Sequence, residues 1–100
     1  MERKKLAADE VDDALAKIAG WKVENDRLKR RFSFSNFAES LAFVNKVGEA
    51  ADALDHHPDI KMGWGYAEIE STTHDRGGIT DMDLELVRRI NGLRPKRGSF

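Results

Sequence analysis

One segment limits the folds open to this chain more than any other: the run from Asn36 to Pro58 has a defined start, a wide apolar face and an enforced end. Asn36 can cap a helix, and Glu39 three residues later completes the arrangement of a capping box. Phe37, Leu41, Val44 and Gly48 mark one stripe, and Phe43, Val47, Ala51 and Leu54 mark an adjacent one. This spacing predicts a helix of about 18 residues with a broad buried face. It must stop near Asp55, because Pro58 biases the residue before it away from helical geometry. A face that wide needs a second layer to cover it.

The flanking segments supply that layer. Val11, Leu15 and Ile18 fall at i, i+4 and i+7 and predict a first helix from about Ala8 to Ala19, with acidic residues in the first turn where the dipole favours them. Gly20 supplies a left-handed stop. Trp21 to Glu24 predicts a short strand, and Asn25-Asp26 a turn. From Leu28, Phe32 and Phe34 recur between basic or polar residues as in a half-buried strand, although Arg30 interrupts the apolar face. Beyond the long helix, Ile60 to Trp64 and Tyr66 to Thr73 predict a tight hairpin about Gly65. Thr80 with Asp83 three residues on opens a last helix with Leu86, Val87 and Ile90 facing inward. Asn91-Gly92 ends it, and Pro95 prevents its resumption. The order α-β-β-α-β-β-α, with two hairpins around a long helix, predicts a two-layer α+β domain: an antiparallel sheet with its helices packed on one face. The other face, with Lys, Glu, Ser and Thr among aromatics, is left for solvent or a partner.

A length of 100 residues suits a single domain. With 17 basic and 18 acidic side chains the net charge is -1, which removes the electrostatic footprint of a general nucleic-acid binder. Arg3-Lys4-Lys5 and Arg94-Pro95-Lys96-Arg97 are expected as flexible, solvated basic termini around a core of about residues 6–92. The absence of cysteine excludes disulfides and thiolate catalysis and suits a reducing compartment. No apolar run approaches the roughly 18 residues that would cross a bilayer, and the N-terminus lacks the apolar stretch of a secretory signal. The expected location is the cytoplasm, with no membrane partner.

The three histidines, His56, His57 and His74, are concentrated around the predicted hairpin. A hairpin returns the chain to its starting edge, so His74 should come back beside His56 and His57 in a rim pocket, with Asp52 and Asp55 nearby. Three readings stay open on the residues alone. The histidines could be unrelated loop residues. They could bind a metal, although adjacent residues of extended backbone point to opposite sides and the spacing matches no common ligand pattern. They could perform general acid–base catalysis, for which imidazole suits neutral pH.

The string Asp52-Ala53-Leu54-Asp55-His56-His57-Pro58, followed by Trp64, His74 and Asp83, resembles the signature of the pterin-4a-carbinolamine dehydratases. The resemblance extends to Gly20-Trp21, Phe32-Ser33-Phe34, Ser71-Thr72-Thr73-His74 and the Gly-Ile-Thr before the last helix, and covers roughly residues 6 to 92. It implies a four-stranded antiparallel sheet with helices on one face, and a carbon–oxygen lyase that turns a 4a-hydroxytetrahydropterin into quinonoid dihydropterin and water in tetrahydrobiopterin recycling. It implies His56, His57 and His74 as catalytic imidazoles, with no cofactor and no metal. Asp52, Asp55, Pro58, Thr73, Asp75 and Arg76 fall where the family lines its pterin pocket. Arg76 departs from the small or uncharged residue expected there, and Asp52 is one methylene shorter than the glutamate often found, which could loosen its grip on a histidine.

On this reading His56 and His74 exchange protons with the 4a-hydroxyl and N5, His57 mainly orients the pterin, and Asp55 steers a histidine tautomer. Asp83 is read as the capping partner of Thr80, and Trp21 and Trp64 as core or interface packing more than pocket walls. Replacing His56 or His74 by alanine is expected to lower turnover while leaving the fold intact. The family resemblance also implies homodimers or homotetramers formed through the sheet edge or the helices. A different class of function stays open too: a protein-interaction module, such as a transcriptional dimerisation cofactor or an assembly factor, with a vestigial pterin site.

Overall fold

The computed structural model describes residues 4–93. Its elements are α1 (Ala8–Leu15), β1 (Lys22–Glu24), β2 (Arg27–Ser33), α2 (Phe37–Leu54), β3 (Asp59–Gly63), β4 (Tyr66–Ser71), a short 3-10 turn (His74–Arg76) and α3 (Asp81–Leu93). The four strands form one antiparallel sheet in the order β1-β2-β4-β3, and helices pack on it. The expected α+β architecture is the one observed.

The long helix forms where the sequence placed it. The Asn36 side chain accepts a hydrogen bond from the Glu39 amide at 2.9 Å. The Glu39 carboxylate reaches back one residue further than a capping box requires, to the Ser35 amide. One of the two stripes on α2 is core: Phe43, Val47 and Ala51 are buried against Leu28 and Phe32 of β2 and Ala67 and Ile69 of β4. Phe32 and Phe43 are both fully buried, with ring centroids 4.7 Å apart. Each such ring contributes on the order of 1.5–3 kcal/mol by leaving water. The other stripe faces outward at its start, where Phe37 and Leu41 are 47% and 42% exposed. From α3, Leu86, Val87 and Ile90 complete the core as expected.

The opposite sheet face is a charge ladder. Registers place Lys29 opposite Glu70, and Arg31 opposite Glu68. Arg27 pairs with Asp59 and Glu70 across the strands. These are mostly exposed pairs of small individual value, and they keep this face wet.

Several boundaries differ from expectation, each for a tertiary reason. Regular helix α1 stops at Leu15, and Lys17 and Ile18 continue the chain in tighter turns that bond three residues back. Trp21 precedes β1 and is buried edge-on to Phe32, its indole N–H donating to Asn91 Oδ1 at 2.7 Å. Asn91 does not end α3, which continues to Leu93. Its amide is spent instead on Trp21, on Arg30 and on the Ala19 carbonyl. Arg30 interrupts the apolar face without penalty because its guanidinium reaches Ala19 O and Asn91 and lies over Phe32. Gly20, at φ +89, sits so close to that guanidinium that a Cβ would meet it at 2.5 Å. Trp64 is in the β3–β4 turn, 71% exposed, and neither in a strand nor in the core. Strand β4 ends at Ser71, and Thr73 instead bridges to Gly78, closing the loop that carries His74. Arg3 and the cluster from Arg94 to Arg97, with the stop assigned to Pro95, lie outside the described residues.

Candidate active site

The end of α2 sends its two histidines in different directions. Asp55 adopts the left-handed conformation, φ 51 and ψ 44. The His56 amide then bonds back to Ala51 O and the Asp55 amide to Asp52 O, each at 3.1 Å. This pair of bonds is the Schellman closure of a helix, usually made with glycine at the left-handed position. Aspartate is among the few other residues that visit it readily. The reversal turns His56 into the protein, 5% exposed, while the His57 side chain stays 58% exposed.

His56 ends on a buried carboxylate that belongs to another element. Its Nε2 lies 2.6 Å from Oδ1 of Asp83, in the first turn of α3, and Asp83 is fully buried. Ser71 Oγ donates to the same oxygen at 2.6 Å. The second oxygen accepts from Thr73 Oγ1 at 2.7 Å and from the Thr80 amide at 2.9 Å. Thr73 and Thr80 also meet through their hydroxyls, and Thr80 Oγ1 caps the Met82 amide. Asp83 is thus the capping partner of Thr80, as its spacing predicts, and at the same time the anchor of His56. With hydroxyl and amide donors already aimed at the carboxylate, Nε2 of His56 is the nitrogen that donates to it. No buried side-chain nitrogen or oxygen among the described residues lacks a partner, so Nδ1, which has none among those residues, opens onto the adjoining cleft.

That cleft, about 330 Å³ in volume, is lined by Asp55, His56, His57, Thr72, Thr73, His74 and Asp75. The antiparallel pairing of β3 with β4 brings the start of one beside the end of the other, Asp59 opposite Glu70, and this delivers His74 to the histidines after α2. The three imidazoles therefore share one cleft. His74 is exposed in the 3-10 turn, whose end is closed by Gly77 at φ 73.

The remaining expected residues sort by position. Asp52 is outside the cleft lining, yet its Oδ1 is 2.8 Å from His57 Nε2, so the shorter side chain does not loosen that contact. The Nε2 atoms of His56 and His57 are met by Asp83 and Asp52, and Asp55 lines the cleft. Thr73 presents its hydroxyl inward to Asp83, and Asp75 lines the rim. Pro58 is half-buried and Arg76 exposed, both outside the lining. Trp21 and Trp64 are outside it as well. Reasoning from spacing missed the second role of Asp83, and with it Ser71 and Thr80. Among the described residues no group of three or more His, Asp or Glu is placed to hold a metal ion. What the arrangement offers is proton transfer: one buried imidazole anchored on a carboxylate, two exposed ones, and no thiol.

Known proteins agree on what such a chain resembles. The family model described as pterin 4 alpha carbinolamine dehydratase matches residues 4–93. A protein of Sulfolobus acidocaldarius, provisionally named a pterin-4-alpha-carbinolamine dehydratase, is 42% identical over 90 residues, covering 90% of this chain and 99% of its own. One from Metallosphaera sedula with the same provisional name is 40% identical over 89 residues, covering 89% and 93%. The crystal structure of a transcriptional coactivator/pterin dehydratase from Brucella melitensis superposes with a TM-score of 0.88 at 26% identity, covering 92% of this chain and all of that one. A pterin dehydratase-like protein described as a RuBisCO assembly factor in the alpha-carboxysome shares the fold, with a TM-score of 0.60 at 22% identity over 73% of this chain and 84% of its own.

Proposed function

From the premise that this chain belongs to the pterin 4 alpha carbinolamine dehydratase family, we propose that its histidine cleft dehydrates a 4a-hydroxytetrahydropterin to quinonoid dihydropterin and water. The observation that carries this reading is the convergence of three imidazoles on one cleft, one of them fixed from behind by a buried carboxylate. The substrate holds a hydroxyl on C4a beside N5–H. Loss of water breaks the C4a–O bond and forms the C4a–N5 double bond. One proton goes to the departing oxygen and one leaves N5, so the step balances without any electron acceptor. His56 and His74 exchange these protons, and His57 orients the ring. Asp83 holds His56 so that Nδ1 faces the substrate, which removes a rotational search from the reacting geometry. Thr73 keeps Asp83 in place, and Asp52 keeps His57 in place.

The same reading takes the chain as one domain that works in the cytoplasm on a pterin, as a homodimer or homotetramer. Exposed Phe37 and Leu41 on α2 support self-association. They equally favour a second reading, an interaction module or assembly factor in which the cleft is vestigial. One assay separates the two. Protein added to freshly formed 4a-hydroxytetrahydropterin should speed the decay of its absorbance by about 10²-fold or more, within the range of positioned general acids and bases. An unchanged decay would leave the interaction module standing.

A further inference from the structure

We propose that the cleft discriminates among pterins by the charge of their side chain, disfavouring carboxylate and phosphate tails, and that Asp75 is a main determinant of this choice. The inference rests on the dehydratase reading for its substrate, but its argument is one of charge. Among the described residues the lining carries two carboxylates, Asp55 and Asp75, and neither a lysine nor an arginine. Asp83 stands directly behind His56, and Asp52 behind His57. Arg27, at the start of the neighbouring strand, is already matched to Asp59 and Glu70. Arg76 follows Asp75 in the same turn, but it lies outside the set of lining residues. The groove on the open sheet face differs in kind, because there Lys29 and Lys61 stand among Asp59, Glu68 and Glu70.

Geometry makes these charges matter to the tail more than to the reacting ring. Proton transfer requires C4a and N5 to meet the imidazoles, and His56 is the buried end of the site. The rest of the molecule must then leave past exposed residues, among them Asp75. A tail anion there lies within a Debye length of the rim carboxylates, about 8–10 Å at ordinary ionic strength. At such distances in a watery mouth at low salt, each carboxylate disfavours a unit anion by about twofold, and a phosphate dianion by more. A neutral hydroxyalkyl tail feels none of this.

The test compares two 4a-hydroxytetrahydropterins that differ only at C6, one with a hydroxymethyl group and one with its phosphate ester. In the parent protein at low salt, kcat/KM for the phosphate should be at least about threefold below that for the alcohol. The gap should narrow as salt rises from about 20 to 300 mM. Asp75→Asn should raise the phosphate-to-alcohol ratio at least about twofold, whatever it does to either absolute rate. A ratio near one, a ratio indifferent to salt (the signature of size alone) or a ratio unmoved by Asp75→Asn would overturn the proposal. The oxidised forms of the same two pterins, bound and read by fluorescence, supply the ratio without turnover. Charge selection in binding with no dehydration would sink the activity and leave this inference intact. Turnover without charge selection would do the reverse.

Discussion

The two histidines that follow α2 each place Nε2 against a carboxylate, His56 at 2.6 Å from Asp83 and His57 at 2.8 Å from Asp52. By distance the pairs are near twins. By environment they are opposites, with side-chain exposures of 5% and 0% for the first and 58% and 80% for the second. The buried pair must overcome the desolvation of both partners, and it does so only because Ser71, Thr73 and the Thr80 amide satisfy the rest of the carboxylate. Removing one member strands the others. The exposed pair has water as an alternative partner for each group, so its removal strands nothing. The fold has thus built one buried imidazole and one exposed imidazole from adjacent residues.

The largest expected effect of breaking this contrast is at Asp83. Asp83→Ala leaves three donors and His56 without their acceptor and should cost about 3–5 kcal/mol in denaturant unfolding. A cost under about 1 kcal/mol would show that the buried network is not a structural element. Next come the rates. His74→Ala and His56→Gln should each lower dehydratase turnover at least about tenfold. They should part company in stability: His74 is exposed and its loss should shift unfolding by no more than about 0.5 kcal/mol, whereas the His56 change should be felt by Asp83. Equal stability for the two variants would erase the distinction drawn between a buried and an exposed imidazole. For the same reason, His56→Ala is not expected to leave the fold undisturbed, contrary to the expectation from sequence. The smallest effect belongs to Asp52→Asn, at under about 1 kcal/mol in stability and a few-fold in turnover. A loss as large as that of Asp83→Ala would mean that the exposed pair is held as firmly as the buried one.

What could be read from the sequence was local in origin. Asn36 and Glu39 announce a helix start, and Asn25 and Asp26, both at positive φ, announce a two-residue hairpin turn. The capping link between Thr80 and Asp83 is three residues long and was visible as such. The other half of the Asp83 carboxylate serves a residue 27 positions away, and no spacing rule connects the two. Asn91 shows the same limit. Its side chain looked like a helix stop because asparagine competes locally with the backbone. Here the indole of Trp21, 70 residues distant, and the guanidinium of Arg30 occupy it, so the helix continues. For Trp64 an indole suggests core or interface packing, and its place in a tight turn, exposed to solvent, removes the first of these alone. The convergence of the histidines was legible because it follows from hairpin topology. Which carboxylate serves which ring was not, since that depends on how α3 docks.

The claim under all of this is that one pterin sits among three imidazoles. The most direct measurement is to titrate protein carrying ¹⁵N-labelled histidine with a stable 7,8-dihydropterin and to follow the ring nitrogens by NMR. The account predicts that the signals of His56, His57 and His74 all move and report one common Kd. Binding that leaves the ring of His56 or His74 unperturbed would contradict it, as would a pterin that fails to bind at all.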